Sequence, residues 1–215
     1  MTKKIIIFHN SDKEFHEKPH ETNLGCLTHP FTLICPGSMN SGKTNAILNI
    51  LYQRAESGRS FDKIYLWHFD DESTEYDVLE HEKIDSIPDL CNINRNIKNL
   101  LIIEDLDIKS LSSYDISKID RCMGYISTHR NLSVIITTQQ GFAIPVRLRR
   151  LNTHLMMWNK SDPAYLAKVE AQLNCKKGDL KKILTEYCKT NHDFLLFAFK
   201  EKPIIRFNLF EGIEI

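Results

Sequence analysis

The stretch Cys35-Pro36-Gly37-Ser38-Met39-Asn40-Ser41-Gly42-Lys43-Thr44 decides the fold that the sequence predicts. It matches the phosphate-binding pattern G-x-x-x-x-G-K-[ST] at every fixed position. An apolar run, residues 31–35, leads into it, and a helical pattern with Ile47, Ile50 and Leu51 on one face follows it. That order of strand, loop and helix is the context in which the pattern binds phosphate. The stretch therefore predicts a nucleotide-phosphate site.

The residue types of this loop suit a nucleotide triphosphate. Glycines let the backbone curl, so that successive N–H groups point at an anion near the positive end of the next helix. Lys43 is predicted to reach the β- and γ-phosphates, and the Thr44 hydroxyl to hold Mg²⁺. An ordinary glycine turn is the alternative, but such a match arises by chance in roughly one chain of this length in a hundred. The residues predicted to bind the nucleotide are Gly37, Ser38, Met39, Asn40, Ser41, Gly42, Lys43 and Thr44.

The composition indicates a globular protein with one main domain. The chain has 215 residues, 42% hydrophobic and 26% charged, which allows one sizeable core. We expect residues 1–29 to form an N-terminal arm and residues 30–215 to form the main domain. No apolar run reaches about eighteen residues, so no membrane span is predicted, and the run after Lys4 is too short for a signal peptide. Six cysteines without a C-x-x-C pair indicate reduced thiols.

The charge is balanced overall but unevenly distributed. Residues 62–89 carry ten acids against two lysines, whereas residues 145–189 carry ten lysines and arginines against four acids. A polyanion would therefore meet the second region rather than the whole surface. Solvated charge on ordinary helices is the commoner cause of such runs, and both interpretations stay open.

Strands and helices alternate along the chain after the phosphate loop. Apolar or β-branched runs predict strands at residues 63–69, 100–103, 132–138 and 154–158. Helices are predicted at residues 117–128, 162–173 and 179–189, with a short one in the acidic stretch after residue 69. Residues 194–199 and 204–209 are expected to form a closing hairpin. The alternation predicts a three-layer α/β fold, with a mainly parallel sheet covered on both faces.

Four residues of the expected arm have a spacing that zinc sites also use. They are His16, His20, Cys26 and His29. No second cysteine pair accompanies them, so scattered surface histidines are the simpler interpretation.

A second part of the site is predicted where the run 100–103 ends in Glu104 and Asp105. A phosphate loop needs two such acids, because one carboxylate completes the Mg²⁺ shell through water and the next orients or deprotonates the attacking water. By position, we assign Mg²⁺ to Glu104 together with Thr44, and water activation to Asp105. Gln139, at the tip of the next predicted strand, is a candidate to hydrogen-bond the γ-phosphate. A solvated glutamine is the alternative for that residue.

Four segments in this order resemble the viral DNA-packaging ATPases of poxviruses, giant viruses and virophages, in the FtsK–HerA branch of P-loop motors. They are the phosphate loop after HPFTLIC, then LLIIED, THRNLSVIITTQQ and IPVRLRRLNTH, and they span about residues 29–162. The resemblance implies a RecA-like (ASCE-type) P-loop NTPase fold that binds ATP with Mg²⁺ and hydrolyses it. It further implies a ring of identical subunits that moves double-stranded DNA and meets a capsid or portal protein. The implied location is a virion, or a virus factory in the host cytoplasm.

The resemblance also gives roles to single residues. Gly37 to Thr44 match the family's phosphate loop, and Glu104 and Asp105 match its acidic pair. Gln139 matches its strand-end glutamine, which makes a catalytic set with Lys43 and the two acids. His129 stands where the family has a histidine before the strand.

An arginine is the last residue that the resemblance assigns. Arg149 matches an arginine that the family is thought to use as a finger on the neighbouring subunit's nucleotide. Two departures bear on this assignment: Glu104 replaces the family's first aspartate, and Asn152 lies one place later than in the family's usual pattern. Arg147 and Arg150 therefore stay open as alternative fingers.

A GTPase is an alternative, because Asn159-Lys160-Ser161-Asp162 fits the guanine-selecting N-K-x-D loop after an apolar strand. Against a GTPase, no D-x-x-G motif follows the run 100–103. A small-molecule kinase is a further alternative, but it would need an Arg-rich lid that the sequence lacks. The third candidate is a nucleotide-dependent DNA-binding or assembly factor with little turnover, which the unusual Glu-Asp order keeps open.

Overall fold

The computed structural model describes residues 4–9, 14–19, 27–68, 74–89, 93–199, 205–207 and 211–213. The strands within them are β1 Lys4–His9, β2 Glu14–Pro19, β3 Thr32–Pro36, β4 Lys63–Trp67, β5 Glu82–Lys83, β6 Asn99–Ile103, β7 Leu132–Thr138, β8 His154–Trp158, β9 Phe194–Ala198, β10 Ile205–Phe207 and β11 Glu211–Ile213. The helices are α1 Lys43–Glu56, α2 Ser113–Arg121, α3 Ser127–His129, α4 Val146–Leu151, α5 Pro163–Leu173 and α6 Asp179–Tyr187. A π-helical turn, Cys122–Ile126, joins α2 to α3, and a 3₁₀ turn, Gly141–Ala143, precedes α4.

Nine strands form one sheet in the order β5-β4-β6-β7-β3-β8-β9-β10-β11. Neighbours are parallel from β5 to β8, whereas β9, β10 and β11 are each antiparallel to the preceding strand. Strand β3 lies between β7 and β8, and β6 lies on the other side of β7. Because β3, β6, β7 and β8 run in one direction, the loops that follow them meet at one edge of the sheet. We call this the carboxyl edge.

The sheet is buried on both faces. Leu33 and Cys35 of β3 pack with α1 on one face, while Ile34 packs on the other face with α2, α4, α5 and α6. Strands β3, β6, β7 and β8 are buried at every residue, which explains their continuous apolar sequences. The predicted three-layer α/β fold, with a mainly parallel sheet and a C-terminal hairpin of β9 and β10, is confirmed.

Three local elements differ from the expectation. The helix predicted at residues 117–128 begins earlier, at Ser113, because Ser112 caps it by accepting a hydrogen bond from the Asp115 N–H. The prediction of a short helix in the acidic stretch is wrong for residues 74–89, which form a turn and the two-residue strand β5. The sequence does not predict α4, whose six residues are too few to display a helical period.

Near the N-terminus, β1 and β2 pair as a separate antiparallel hairpin, and β1 lies beside α1. The division into an arm and a main domain stays a prediction. The side chains of His16, His20 and Cys26 lie outside the described residues, and His29 forms hydrogen bonds with Asn131 and Ser133. In the part of the chain that the structure describes, no cluster of three or more His, Cys, Asp or Glu is placed to hold a metal. None of the described helices has both the length and the apolar character of a membrane span.

Candidate active site

The phosphate loop joins the end of β3 to the start of α1 at the carboxyl edge. Its backbone is left-handed at Asn40, with φ of 59°, and at Gly42, with φ of 87°. A side-chain carbon added to Gly42 would lie 3.1 Å from Nδ1 of His192, and one added to Gly37 would lie 2.6 Å from Oγ of Ser41. Both glycines are therefore needed for the tight path of the loop.

Helix α1 begins without a side-chain cap and without an acid in its first turn. The first N–H groups of a helix have no partner within it and carry partial positive charge, so this 14-residue helix offers donors to an anion. Lys43 is only 7% exposed, and its Nζ donates hydrogen bonds of 3.2 Å to the carbonyl oxygens of Gly37 and Ser38. The loop thus holds the ammonium group where a phosphate would bind.

A hydroxyl and a carboxylate meet beside the loop. The Thr44 hydroxyl donates a 2.8 Å hydrogen bond to Oε1 of Glu104, and the Tyr76 phenol donates one of 2.7 Å to Oε2. Burial raises the pKa of the Glu104 carboxyl, which is 3% exposed, and the hydrogen bonds from Tyr76 and Thr44 oppose that rise. Mg²⁺ prefers oxygen ligands and keeps several waters, so Thr44 and Glu104 fit this metal.

The next acid, Asp105, has a different environment. Its backbone is left-handed, with φ of 43°, and its N–H donates a 2.7 Å hydrogen bond to Oγ1 of Thr137 on β7. The carboxylate is 46% exposed and lies 3.5 Å from Nζ of Lys43. A non-glycine residue in this conformation is uncommon and is often found at functional sites. With this backbone conformation the two neighbouring acids have different surroundings: Glu104 is buried in the protein, and Asp105 is exposed beside Lys43.

The end of β7 connects the phosphate loop to the acidic pair. The Gly37 N–H donates to the carbonyl oxygen of Thr138, and the Thr138 hydroxyl donates to the carbonyl oxygen of Leu106. Gln139 follows directly and is exposed, whereas the Gln140 amide bonds to Asp107. The structure therefore places Gln139 at the carboxyl edge, as predicted, and its role stays a prediction.

His129 lies away from this edge. It belongs to α3, which precedes β7, and the start of a parallel strand is at the opposite edge of the sheet from its end. Its ring is exposed and stacks on Tyr125, with the ring centroids 4.1 Å apart. His129 is not brought together with Lys43 and the acids.

The three candidate arginines lie on α4 and have different surroundings. Arg147 pairs with the buried carboxylate of Asp120. Arg149 is half-buried, and its Nε is enclosed without a hydrogen-bond partner among the described residues. Arg150 is exposed. Arg147 thus has a partner within the subunit, which favours Arg149 or Arg150 as a residue free to act elsewhere.

A cavity of about 260 Å³ adjoins the outer side of the phosphate loop. Its walls are the loop residues 38–41, the end of β8 with Asn159 and Lys160, and the turn 189–191 between α6 and β9. Two buried polar atoms in its lining, Oγ of Ser41 and Nε1 of Trp158, have no hydrogen-bond partner among the described residues. Polar side chains that line the cavity, among them Asn159, Lys160 and Asn191, lie next to the place where phosphates would bind.

The tetrapeptide that suggested a GTPase has structural roles in this fold. The Asp162 carboxylate caps α5 by accepting hydrogen bonds from the N–H groups of Ala164 and Tyr165, at 2.7 and 3.3 Å. The Asn159 amide donates to the carbonyl oxygen of Cys188. Aspartate is a preferred residue at the start of a helix, which gives this match a structural explanation.

Sequence reasoning misses two parts of the site. Tyr76 comes from the acidic stretch, where ten acids among residues 62–89 indicate solvated loop and hide a buried tyrosine. The turn 189–192 brings His192 over the phosphate loop from the far end of the chain, and no local pattern signals it. Only the tertiary fold brings either part to the phosphate loop.

Neither a family model nor a curated protein sequence matches this chain. Solved structures do match it. The DNA-packaging ATPase B204 from Sulfolobus turreted icosahedral virus is similar with a TM-score of 0.59 and 11% identity, over 86% of this chain and 99% of that one. The genome packaging NTPase B204 from Sulfolobus turreted icosahedral virus 2, in complex with ATP-γS, gives 0.56 and 14%, over 84% and 98%.

A conjugation coupling protein is similar as well. The pCW3 conjugation coupling protein TcpA, in its monomer form with ATPγS, has a TM-score of 0.54 and 13% identity, over 99% of this chain and 66% of that one. At such identities, the likenesses establish the fold. The P-loop NTPase fold that the resemblance implies is confirmed.

Proposed function

We propose that this protein is an ATP-hydrolysing motor that moves double-stranded DNA, and that it does so to package a viral genome. One observation carries the proposal. The fold brings the phosphate loop into contact with the acidic pair. Thr44 is hydrogen-bonded to Glu104 at 2.8 Å, and Lys43 lies within 3.5 Å of Asp105. These are the parts that an NTP-hydrolysing P-loop site requires.

The residues of the chain divide the reaction between them. The N–H groups of the loop and of the start of α1 hold the phosphates, and Lys43 exchanges its contacts with the loop carbonyls for the β- and γ-phosphates. Thr44 and Glu104 would hold Mg²⁺, which when bound would supply positive charge to neutralise the phosphate oxygens. Asp105 is exposed to the site and accepts a proton from the attacking water.

The nucleoside half of ATP lies in the cavity beside the loop. The cavity continues from loop residues 38–41, so a nucleotide whose phosphates occupy the loop extends naturally into it. Its polar lining, with Lys160, Lys189 and Asn191, supplies donors and acceptors for a base and a ribose. Asp162 is occupied in capping α5, which favours ATP over GTP.

The working form is a ring of identical subunits in which an arginine acts on the neighbour's nucleotide. Arg149 is our choice, with Arg150 as the alternative on the same helix. The residue is half-buried, and none of the ion pairs within the described residues involves it, so its charge is available to another molecule. A guanidinium suits the role because it stays charged and forks onto phosphate oxygens.

Double-stranded DNA is the substrate that the ring moves, and a capsid or portal protein is its partner in a virion or virus factory. The similar B204 protein is a DNA-packaging ATPase. In this chain, residues 145–189 carry ten lysines and arginines against four acids, which suits contact with the phosphate backbone. The acidic stretch 62–89 would turn away from the DNA.

The decisive experiment measures ATP turnover by the purified chain with and without linear double-stranded DNA. We expect turnover in Mg²⁺ and a higher rate with DNA. Lys43→Ala should reduce turnover to background and weaken ATP binding, because it removes the one side-chain cation of the loop. Lys63→Ala, which removes an exposed lysine of β4, is the matched control and should stay active.

The possible failures are distinct. ATP binding without turnover, with or without DNA, would favour the assembly-factor hypothesis. Turnover of Lys43→Ala within a few-fold of wild type would contradict the phosphate-loop assignment itself. If the wild-type ATPase rate does not change when DNA is added, the protein is still an ATP hydrolase, but the hypothesis of a DNA-translocating motor is rejected.

A further inference from the structure

Tyr76 is a buried tyrosine whose phenol reaches the acidic pair. Its side chain is 2% exposed and packs in the core between the sheet and α1. A turn holds it there, with the Asp77 N–H bonded to the carbonyl of Thr74 and the Leu79 N–H bonded to the carbonyl of Tyr76. From this position, the phenol donates its 2.7 Å hydrogen bond to Oε2 of Glu104.

This hydrogen bond completes the surroundings of a buried carboxylate. Oε1 of Glu104 accepts from Thr44, and Oε2 accepts from Tyr76, so both oxygens are satisfied by side chains of the chain itself. A buried charged group without such partners would be costly. A glutamate also has one more rotatable bond than an aspartate, so it needs a second contact to fix which oxygen faces the loop.

We propose that Tyr76 is a positioning residue, whose phenol anchors Oε2 of Glu104 and so aims Oε1 at the Thr44 hydroxyl and the Mg²⁺ position. The proposal rests on the proposed function, because it takes Thr44 and Glu104 as the metal-holding pair. It also accounts for the departure from the family's aspartate at position 104: the longer side chain is accompanied by a phenol that restrains it. If the tyrosine served the core alone, its ring would suffice and its hydroxyl would be dispensable.

The test removes the hydroxyl and keeps the ring. Tyr76→Phe should weaken binding of Mn²⁺, used as a spectroscopic probe in place of Mg²⁺, to the ADP complex by about tenfold or more, since loss of a group that orients a metal ligand typically has that effect. Electron paramagnetic resonance of free and bound Mn²⁺ measures the affinity without turnover. The matched control is Tyr65→Phe, which alters another buried tyrosine, on β4 and on the opposite face of the sheet, and should leave Mn²⁺ affinity unchanged.

A second pair of variants separates positioning from packing. In a Glu104→Ala background, Tyr76→Phe should cause no further loss of Mn²⁺ affinity, because the carboxylate through which it acts is gone. Glu104→Asp shortens the side chain by about 1.5 Å, one carbon–carbon bond, so the phenol no longer reaches it and Tyr76→Phe should again add little. Equal losses in all three backgrounds, or unchanged affinity in Tyr76→Phe alone, would reject the positioning role.

The same measurements distinguish this proposal from the function on which it rests. If the wild-type chain binds no Mn²⁺ with ADP and shows no ATP turnover, the proposed function fails. If the wild type binds Mn²⁺ and hydrolyses ATP while Tyr76→Phe matches it in both, only the role of Tyr76 fails.

Discussion

The two ends of the candidate site differ in how fully this chain supplies them. At the metal end, the Thr44 hydroxyl and both carboxylate oxygens of Glu104 have partners within the subunit. At the other end, Gln139 is exposed, and Arg149, which we propose acts on a neighbour's nucleotide, takes part in no ion pair within the described residues. The first end is closed by its own side chains, and the second is not.

The difference fits a division of labour between subunits. Binding of the metal and phosphates needs groups that are fixed before the nucleotide arrives, because preorganised dipoles need no rearrangement during the reaction. Groups that sense or trigger hydrolysis are useful where another molecule can reach them. An open end therefore supports the proposal that a neighbouring copy completes the site.

The largest effect is expected from Arg149→Ala. If its guanidinium reaches the neighbour's phosphates, the variant should bind ATP normally and lose on the order of a thousand-fold in rate. Arg150→Ala removes the alternative finger on the same helix and should lose far less if Arg149 is the finger. Steady-state turnover and nucleotide binding, measured on the same preparations, check both statements.

Mixing two inactive variants tests whether the arginine acts across a subunit boundary. Arg149→Ala combined with Lys43→Ala should recover part of the activity, because some boundaries then pair an intact phosphate loop with an intact arginine. If Arg149→Ala keeps its DNA-free ATPase rate and loses only stimulation by DNA, the residue contacts DNA. In that case, the open end is not completed by this arginine.

Distinct effects are expected from replacing each of the two acids by its amide. Asp105→Asn should leave nucleotide bound and lower turnover by about 10²–10⁴-fold, the usual contribution of a general base. Glu104→Gln should mainly raise the Mg²⁺ concentration needed for activity. Thr44 and Tyr76 both donate to Glu104, and an amide has one oxygen where the carboxylate has two, so one of these hydrogen bonds is lost.

Titration of the rate with Mg²⁺ separates the two acids. A normal rate at high Mg²⁺ is expected for Glu104→Gln and not for Asp105→Asn. If Asp105→Asn instead recovers at high Mg²⁺ and Glu104→Gln does not, Glu104 is the residue that activates the water. The exposed position of Asp105 would then need another explanation.

The sequence predicts the parts of this molecule that follow from local chemistry. The run 100–103 is continuous because β6 is buried on both faces, and the same holds for residues 132–138 in β7. The phosphate loop is recognisable because a side chain at either of its glycines would lie too close to neighbouring atoms, so the glycines are required. For this reason, Lys43, Thr44 and the acids are found from their order alone.

The remaining parts depend on contacts between distant segments. Tyr76 lies 28 positions before Glu104, in a stretch whose acids indicate solvent, so its burial is invisible to local pattern. Helix α4 is too short for periodicity, although it carries the candidate arginines. His129 precedes β7, as the resemblance implies, and so lies at the edge of the sheet opposite the phosphate loop.

The smallest effect is expected at Asp162, the residue on which the GTPase alternative depends. Its carboxylate caps α5, so Asp162→Ala should lower the free energy of unfolding by about 1 kcal/mol, the usual value of such a cap. That loss corresponds to about 2–4 °C in melting temperature for a chain of this size. Asp162→Ser keeps a capping oxygen and should recover most of the stability. Neither variant should change the preference for ATP over GTP in competition binding, because the aspartate is committed to the helix. If the wild type strongly prefers GTP and both variants abolish that preference, the assignment of Asp162 as a helix cap without a role in nucleotide selection is wrong. The tetrapeptide would then select the nucleotide.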